Sequence, residues 1–386
     1  MEAFQKLLEQ NKIDINNLTT QVFSLNEYKN AYDLIISDKK NYFGLVLKYD
    51  EENTNPLSSI KLSKSKTVSQ INLGMFGAGN YAQANILPYI SQNKNIKKNV
   101  IITNNGTSSK KIGEKYEFEV CSSDKDLIYG NDEINTVFIL TRHDSHSEFI
   151  INSLKNNKNI FCEKPLCINE EDLSEIIDNI NDNKILIGYN RRFSGMAKKI
   201  KSQVDLSPMM MFCRINAGPI ALDSWLIDTE VGGGRIIGEV CHFVDFFTFL
   251  CGSIPYSVSA KKMSDGAGRQ TNVSITINFL NGSNGSILFT SSGSDKLSKE
   301  YYEVHQNGAS FLINDFKELI IHKNSKTKLS KKLFQDKGQR KMIESFFDNI
   351  LNNEDNLIPI DEIIAVSKTT FAIEKSIKLD GENIVL

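Results

Sequence analysis

The chain is 386 residues long, 40% hydrophobic and 24% charged, with a formal charge of -2 and a pI near 6.3. That length and apolar content suffice for a sizeable core and favour two domains over one. The near-neutral balance leaves no electrostatic footprint for nucleic acid or an anionic membrane, and no stretch reaches membrane-spanning length.

The opening "MEAFQKLLEQNKIDINN" lacks the basic-then-apolar order of a secretory signal, so the expected location is the cytoplasm. Residues 1 to 66 are read as an amino-terminal extension: a helix around Leu25 to Ile36, a strand within "YFGLVLKYD", then the polar, Ser-rich linker "EENTNPLSSIKLSKSKTVS". Residues 67 to 189 alternate regularly. The strands "INLGMF", "NVIIT", "TVFIL", "NIFC" and "ILIGY" are separated by helices starting near Asn80, Ser108, Ser145 and Glu170, which predicts a doubly wound parallel sheet. Residues 190 to 386 change style. Alternating segments "VSITINFL", "GSILFTS", "YYEVHQ" and "ASFLIND" follow one another across Gly, Asn and Ser turns, predicting a large, mostly antiparallel open sheet in a second α/β domain. Helices are expected at Gly238 to Leu250, Met342 to Leu351 and Asp361 to Ile377, and the open sheet face suits a homo-oligomer, dimer or tetramer. The six cysteines (Cys121, Cys162, Cys167, Cys213, Cys241, Cys251) form no C-x-x-C pair, so neither a metal site nor a disulfide framework is signalled.

The first βα junction, "INLGMFGAGNYAQANIL", places Gly77, Gly79 and Ala82 at the three fingerprint positions of a dinucleotide site. Gly77 permits the tight turn, Gly79 lets a pyrophosphate approach the helix start, and Ala82 keeps helix and strand close. Asn80 and Tyr81 open that helix beside the cofactor. The end of the second strand, "NVIITNNGTSSKK", carries no carboxylate at Thr103, Asn104 or Asn105 to hold ribose hydroxyls. Ser108, Ser109, Lys110 and Lys111 either meet a 2'-phosphate or simply start a solvated helix, and the cofactor reading stays NAD(P).

Residues 159 to 167, "NIFCEKPLC", put Glu163 and Lys164 at the carboxyl end of a parallel strand, where ligands sit in such sheets. An ammonium held there polarises a carbonyl or stabilises an alkoxide, and Pro165 restricts the backbone that aims it.

With "GAGNYA", "CEKP" and "GGGRIIGEVCHFVD" in that order, the chain from about Gln70 onward resembles the Gfo/Idh/MocA oxidoreductases. The resemblance implies a Rossmann domain, an open-sheet α/β domain, NAD(P), and oxidation or reduction of a sugar, nucleotide-sugar or cyclitol hydroxyl. "TRHDSHSEF", "GYNRRFSG" and "NAGPIALDSWLIDTEVGGGRIIGEVCHFVDF" look like the C-terminal half of bacterial fusions with a zinc-type alcohol dehydrogenase module, which implies surface polysaccharide synthesis and makes residues 1 to 66 a remnant of that module. The family likeness places the catalytic histidine at His242 and sets Thr141 and His146 beside the nicotinamide ribose. Many members carry an aspartate four residues before that histidine, and here the position is Gly238.

On a regular helix Glu239 and Asp245 each lie three residues from His242, a spacing that would raise its basicity for general base work. Tyr189, Asn190, Arg191 and Arg192 follow the last Rossmann strand and are expected to face substrate, as is Asp245, the arginines alternatively tying the domains together. Trp225 either stacks on a sugar ring or belongs to the core. His143, in the loop of Thr141 and His146, is open to a wholly structural reading. Gly232 to Gly234 admit a close approach, by ligand or by neighbouring chain. Two other functions use the same residues: an NAD-dependent hydrolase or dehydratase working by transient oxidation, and a non-catalytic cofactor-binding sensor or assembly partner.

Overall fold

In the computed structural model, the residues described are 2–10, 12–13, 18, 21–24, 27–36, 43–48, 59–61, 71–93, 95–104, 106–221, 223–263 and 271–386. The proposed linker, apart from residues 59–61, lies outside them. The chain divides into two units, 1–58 and 59–386.

In the first unit, α1 (Glu2–Glu9) precedes β1 (Gln21–Ser24), α2 (Tyr28–Ile36) and β2 (Leu45–Lys48). The two strands pair in parallel, Val22 opposite Val46, with α2 as the connection between them.

The second unit opens with β3 (Ser59–Lys61), β4 (Ile71–Phe76), α3 (Asn80–Asn85), α4 (Leu87–Gln92), β5 (Ile96–Ile102), α5 (Gly106–Tyr116) and β6 (Val120–Ser122). It continues through α6 (Asp126–Tyr129), β7 (Thr136–Ile139), α7 (His146–Lys155), β8 (Asn159–Cys162), α8 (Glu170–Asn179) and β9 (Ile185–Ile187). These make a seven-stranded sheet in the order β3-β6-β5-β4-β7-β8-β9. All neighbours are parallel except β3, which runs antiparallel to β6. Ser59–Lys61, read as linker in the sequence, is therefore an edge strand of the Rossmann sheet. β7 is buried at every position, as a strand covered by helices on both faces must be.

The chain then forms α9 (Gly195–Lys201), β10 (Met210–Asn216), α10 (Cys241–Cys251), β11 (Pro255–Lys262), β12 (Val273–Phe279) and β13 (Asn284–Thr290). It closes with β14 (Glu300–Gln306), β15 (Ala309–Asn314), β16 (Glu318–Lys323), β17 (Lys326–Lys331), α11 (Gln339–Asn352), α12 (Ile360–Lys378) and β18 (Ile384–Val385). The nine strands run β17-β16-β15-β14-β10-β13-β12-β11-β18, antiparallel throughout except for β10 beside β13. One face is apolar and buried, with Cys213, Ile215, Ile275, Ile277, Phe289, Tyr302, Phe311 and Ile313 at alternate positions. α12 lies against β11, where the Ser376 hydroxyl accepts the Ala260 N–H. α11 returns to the first sheet, its Phe347 stacking on Phe138, which in turn stacks on Phe161. The loops that leave β7 and β8 meet just before α10, where His143 lies beside Gly238 and the Lys164 ammonium reaches the Gly238 carbonyl. No described helix is long and apolar enough to cross a membrane.

Candidate active site

The cradle at the end of β4 is built from the main chain. Gly77 turns with φ +85° and donates its N–H to the Ile102 carbonyl. A Cβ at Gly77 would sit 2.6 Å from the Leu140 carbonyl oxygen, so only glycine fits. Gly79 caps α3 without a side-chain bond, and a Cβ there would have nothing within 4 Å. Uncapped amides facing open space fit a pyrophosphate. Asn80 and Tyr81 are exposed on the first turn and Ala82 is buried. The Thr103 N–H donates to the Ser122 carbonyl, Asn104 is exposed, and Lys110 and Lys111 project into solvent. Asn105 and the Ser108 side chain lie outside the described residues.

Glu163, at the end of β8, is buried, and its Oε1 has no partner among the described residues. The Tyr81 phenol stands against this carboxylate. A Cβ at Gly188 would come 2.7 Å from it, so the glycine after β9 makes room for the glutamate. An acceptor left unsatisfied under the first turn of α3 fits a ribose hydroxyl. Burial pushes the Glu163 carboxyl up to about 7, with Lys164 opposing. A raised folded-state pKa contributes stability that is complete below the unfolded value near 4.5 and lost as pH rises through about 7. Thermal melts of wild type and Glu163→Gln should therefore coincide at acid pH and separate toward pH 8, the variant melting higher; parallel curves would contradict this.

Lys164 is half-buried, and its ammonium donates to the Gly238 carbonyl at 2.6 Å. The position that carries no side chain thus receives the lysine through its main chain. His146 does not reach toward a ribose. It is fully buried, and its neutral ring donates once, from Nδ1 to the Pro165 carbonyl at 2.7 Å, which ties the loop after β7 to the loop after β8, while Nε2, 3.4 Å from the Thr141 carbonyl, carries no proton. Burial lowers its pKa to about 4. The Thr141 hydroxyl accepts from Ser145 at 2.8 Å.

The helix expected from Gly238 begins as a π-turn, Ile236–Val240, before α10. That winding displaces Glu239 from the spacing assumed for a regular helix. Glu239 pairs with Arg235 at 2.6 Å, and Asp245 pairs with Arg192, so the carboxylate-flanked imidazole predicted for His242 is not formed. His242 Nδ1 is sealed and unpartnered among the described residues. Burial and then Arg191, Lys164, Lys337 and Lys299 hold its pKa well below the ordinary value, so the ring is neutral at pH 7.

The residues after β9 turn inward. Arg191 grips Glu300 with two bonds, 2.8 and 2.7 Å, and Glu300 also accepts from Lys337 and the Tyr302 hydroxyl. Arg192 joins Asp245 and, at 2.9 Å, Glu362. Asn190 donates to the Lys337 carbonyl, and Tyr189 is buried with its ring nearly perpendicular to that of His242. The expected substrate contacts by Arg191, Arg192 and Asp245 give way to the alternative, buried ion pairs tying one sheet to the other, because charges removed from water must be matched. Trp225 is half-buried, edge-on to His143 at 4.8 Å, with Arg142 over its face. A Cβ at Gly232 would strike the main chain of Trp225 at 2.4 Å, so this glycine serves neighbouring chain. Arg235 and Gly188 lie inside quoted motifs but were given no role, whereas Glu300 and Lys337 lie in no local motif, and sequence spacing could not have found them. Among the described residues no group of three or more His, Cys, Asp or Glu gathers as for a metal ion.

Comparison with known proteins agrees with this architecture. The curated relatives include an inositol 2-dehydrogenase of Rhizobium meliloti, 26% identical over 49% of this chain and 58% of its own length. A myo-inositol 2-dehydrogenase of Thermotoga maritima is 25% identical over 37% of this chain and 44% of its own length. The chain spans about half the length of the curated relatives it matches. Among solved structures, levoglucosan dehydrogenase in complex with NADH and levoglucosan superposes with a TM-score of 0.72 at 19% identity, covering 82% of this chain and 99% of that one. An aldose-aldose oxidoreductase from Caulobacter crescentus gives 0.71 at 17% identity, over 82% of this chain and all of that one. Residues 71–190 match a family model, GFO_IDH_MocA, described as an oxidoreductase family with an NAD-binding Rossmann fold.

Proposed function

We propose that this protein transfers a hydride between NAD(P) and a secondary hydroxyl or ketone of a sugar, nucleotide sugar or cyclitol. The observation that carries the reading is that Lys164, held on the Gly238 carbonyl, is one of the charges that, after burial, keep the His242 imidazole neutral, its Nδ1 unpartnered among the described residues. The nicotinamide, when bound, supplies the hydride donor or acceptor. Gly77, Gly79, Asn80 and Tyr81 hold the pyrophosphate, Thr103, Asn104 and Thr141 border the riboses, and Glu163 accepts from a ribose hydroxyl. Lys164 donates to the substrate oxygen and stabilises it as an alkoxide. His242 takes the hydroxyl proton during oxidation and returns it during reduction; a neutral ring at pH 7 is the form that can accept it. Glu239 acts indirectly, fixing Arg235 beside the π-turn, and Trp225 walls the substrate side. The inositol and levoglucosan dehydrogenases among the relatives support a polyol substrate.

A homo-oligomer through the nine-stranded sheet fits the apolar side chains on its outer face, among them Met210, Phe212, Leu288, Leu312 and Ile320. A place in surface polysaccharide synthesis rests on the sequence resemblance alone.

The test is a screen of cyclitols, anhydrosugars and nucleotide sugars with NAD+ and NADP+, following nicotinamide absorbance. Net reduced cofactor with at least one polyol is the expected result. Sugar cleavage or dehydration without net reduced cofactor, or no cofactor binding, would contradict it.

A further inference from the structure

The loop after β7 carries a residue that the reading above does not use. His143 is buried, and its Nδ1 lies 2.8 Å from the Gly232 carbonyl. A carbonyl only accepts, so Nδ1 carries the proton and Nε2 keeps its lone pair. Nε2 makes no hydrogen bond among the described residues and, unlike His242 Nδ1, is not sealed from solvent. The ring is fixed from the other side by the edge-on Trp225. A Cβ built on Gly238 would lie 3.0 Å from His143 Cε1 and 3.4 Å from Nδ1. The imidazole therefore occupies the space of the side chain that position 238 lacks. The same Gly238 takes the Lys164 ammonium on its carbonyl. Burial and the charge of Lys164 push the His143 pKa down to about 3, which keeps the ring neutral across physiological pH.

We propose that His143 is a further polar member of this site, a positioning residue whose neutral imidazole fills the space left by Gly238 and presents Nε2 as an acceptor beside Lys164. The inference rests on the oxidoreductase reading above. A merely structural histidine would need its shape and its bond to Gly232, whereas a positioning one also needs the Nε2 lone pair. Gly238 then follows from His143: a side chain at 238 and an imidazole at 143 compete for one space.

His143→Phe keeps the ring volume without an acceptor, and His143→Gln keeps an acceptor. The proposal expects kcat to fall by about 10²-fold in the Phe variant and less in the Gln variant, with NADH affinity unchanged, while loss of the bond to Gly232 lowers the melting temperature of the Phe variant. Gly238→Asp alone should be nearly inactive, and combining it with His143→Ala should recover turnover by returning an acceptor to the vacated space. Nitrogen NMR of labelled protein supplies a readout free of activity: His143 should be the Nδ1-protonated tautomer, its Nε2 resonance moving in Lys164→Met. Full turnover in His143→Phe, or an Nε2 resonance indifferent to Lys164, would overturn the proposal. If wild type turns over no polyol, the functional reading fails, while the resonance still decides where His143 stands.

Discussion

Replacing Lys164 with Met should lower kcat by about 10³-fold, the loss expected when a donor aimed at a developing oxyanion is removed. NADH affinity should hardly change. The ammonium touches the Gly238 carbonyl, whereas the proposed pyrophosphate cradle is main chain at Gly77 and Gly79, on another loop. An interaction made only in the transition state appears in kcat, and KM should move little. Lys164→Arg should not restore turnover, because a planar guanidinium cannot take the position of a compact ammonium held at 2.6 Å from one carbonyl oxygen. Steady-state kinetics beside a fluorescence titration with NADH separates the effects; turnover within about tenfold of wild type would be too small a loss for a group acting on the oxyanion.

Arg192→Ala should destabilise the fold by about 3–5 kcal/mol, the range for removing one partner of a buried ion pair. Asp245 is fully buried and Arg192 nearly so, and the arginine also reaches Glu362 on α12. Even with Arg192 present, burial pushes the Asp245 carboxyl up to about 6. Without it the carboxylate is stranded at neutral pH, so soluble yield and melting temperature should fall. Adding Asp245→Leu should recover part of the loss, since an apolar side chain needs no partner. Denaturant unfolding of the three variants measures this. A single variant within about 1 kcal/mol of wild type would place the pair with exposed ion pairs rather than buried ones.

Much of the first sheet was legible because its strands are continuous apolar runs ending in turn residues, and the Gly77 and Lys164 motifs sit at those ends. Other strands escaped for physical reasons. β10 carries Met210 and Phe212 on its outer face, which erases the period-two contrast that marks a half-buried strand. β17, "KTKLSK", is almost wholly exposed, a lysine-rich edge with no buried face to read. The local motifs of the site were legible too, but its partnerships were not. Arg191 meets Glu300 across 109 residues and His143 meets Gly232 across 89, distances over which no periodicity carries information. The spacing argument around His242 failed for two reasons: Glu239 lies in a π-turn and pairs with Arg235, and Asp245, though on the regular helix α10, is taken by Arg192.

The central claim is that Lys164 and His242 serve a net hydride transfer to or from a sugar carbon. The most direct measurement is deuterium transfer from NADH or NADPH labelled at the nicotinamide C4 to the ketone form of a polyol that the screen identifies, read by mass spectrometry of the alcohol. The account predicts one deuterium on the carbinol carbon for each oxidised cofactor formed, abolished in Lys164→Met. Deuterium that returns to the cofactor while the sugar is cleaved or dehydrated, or tight cofactor binding with no transfer at all, would contradict it.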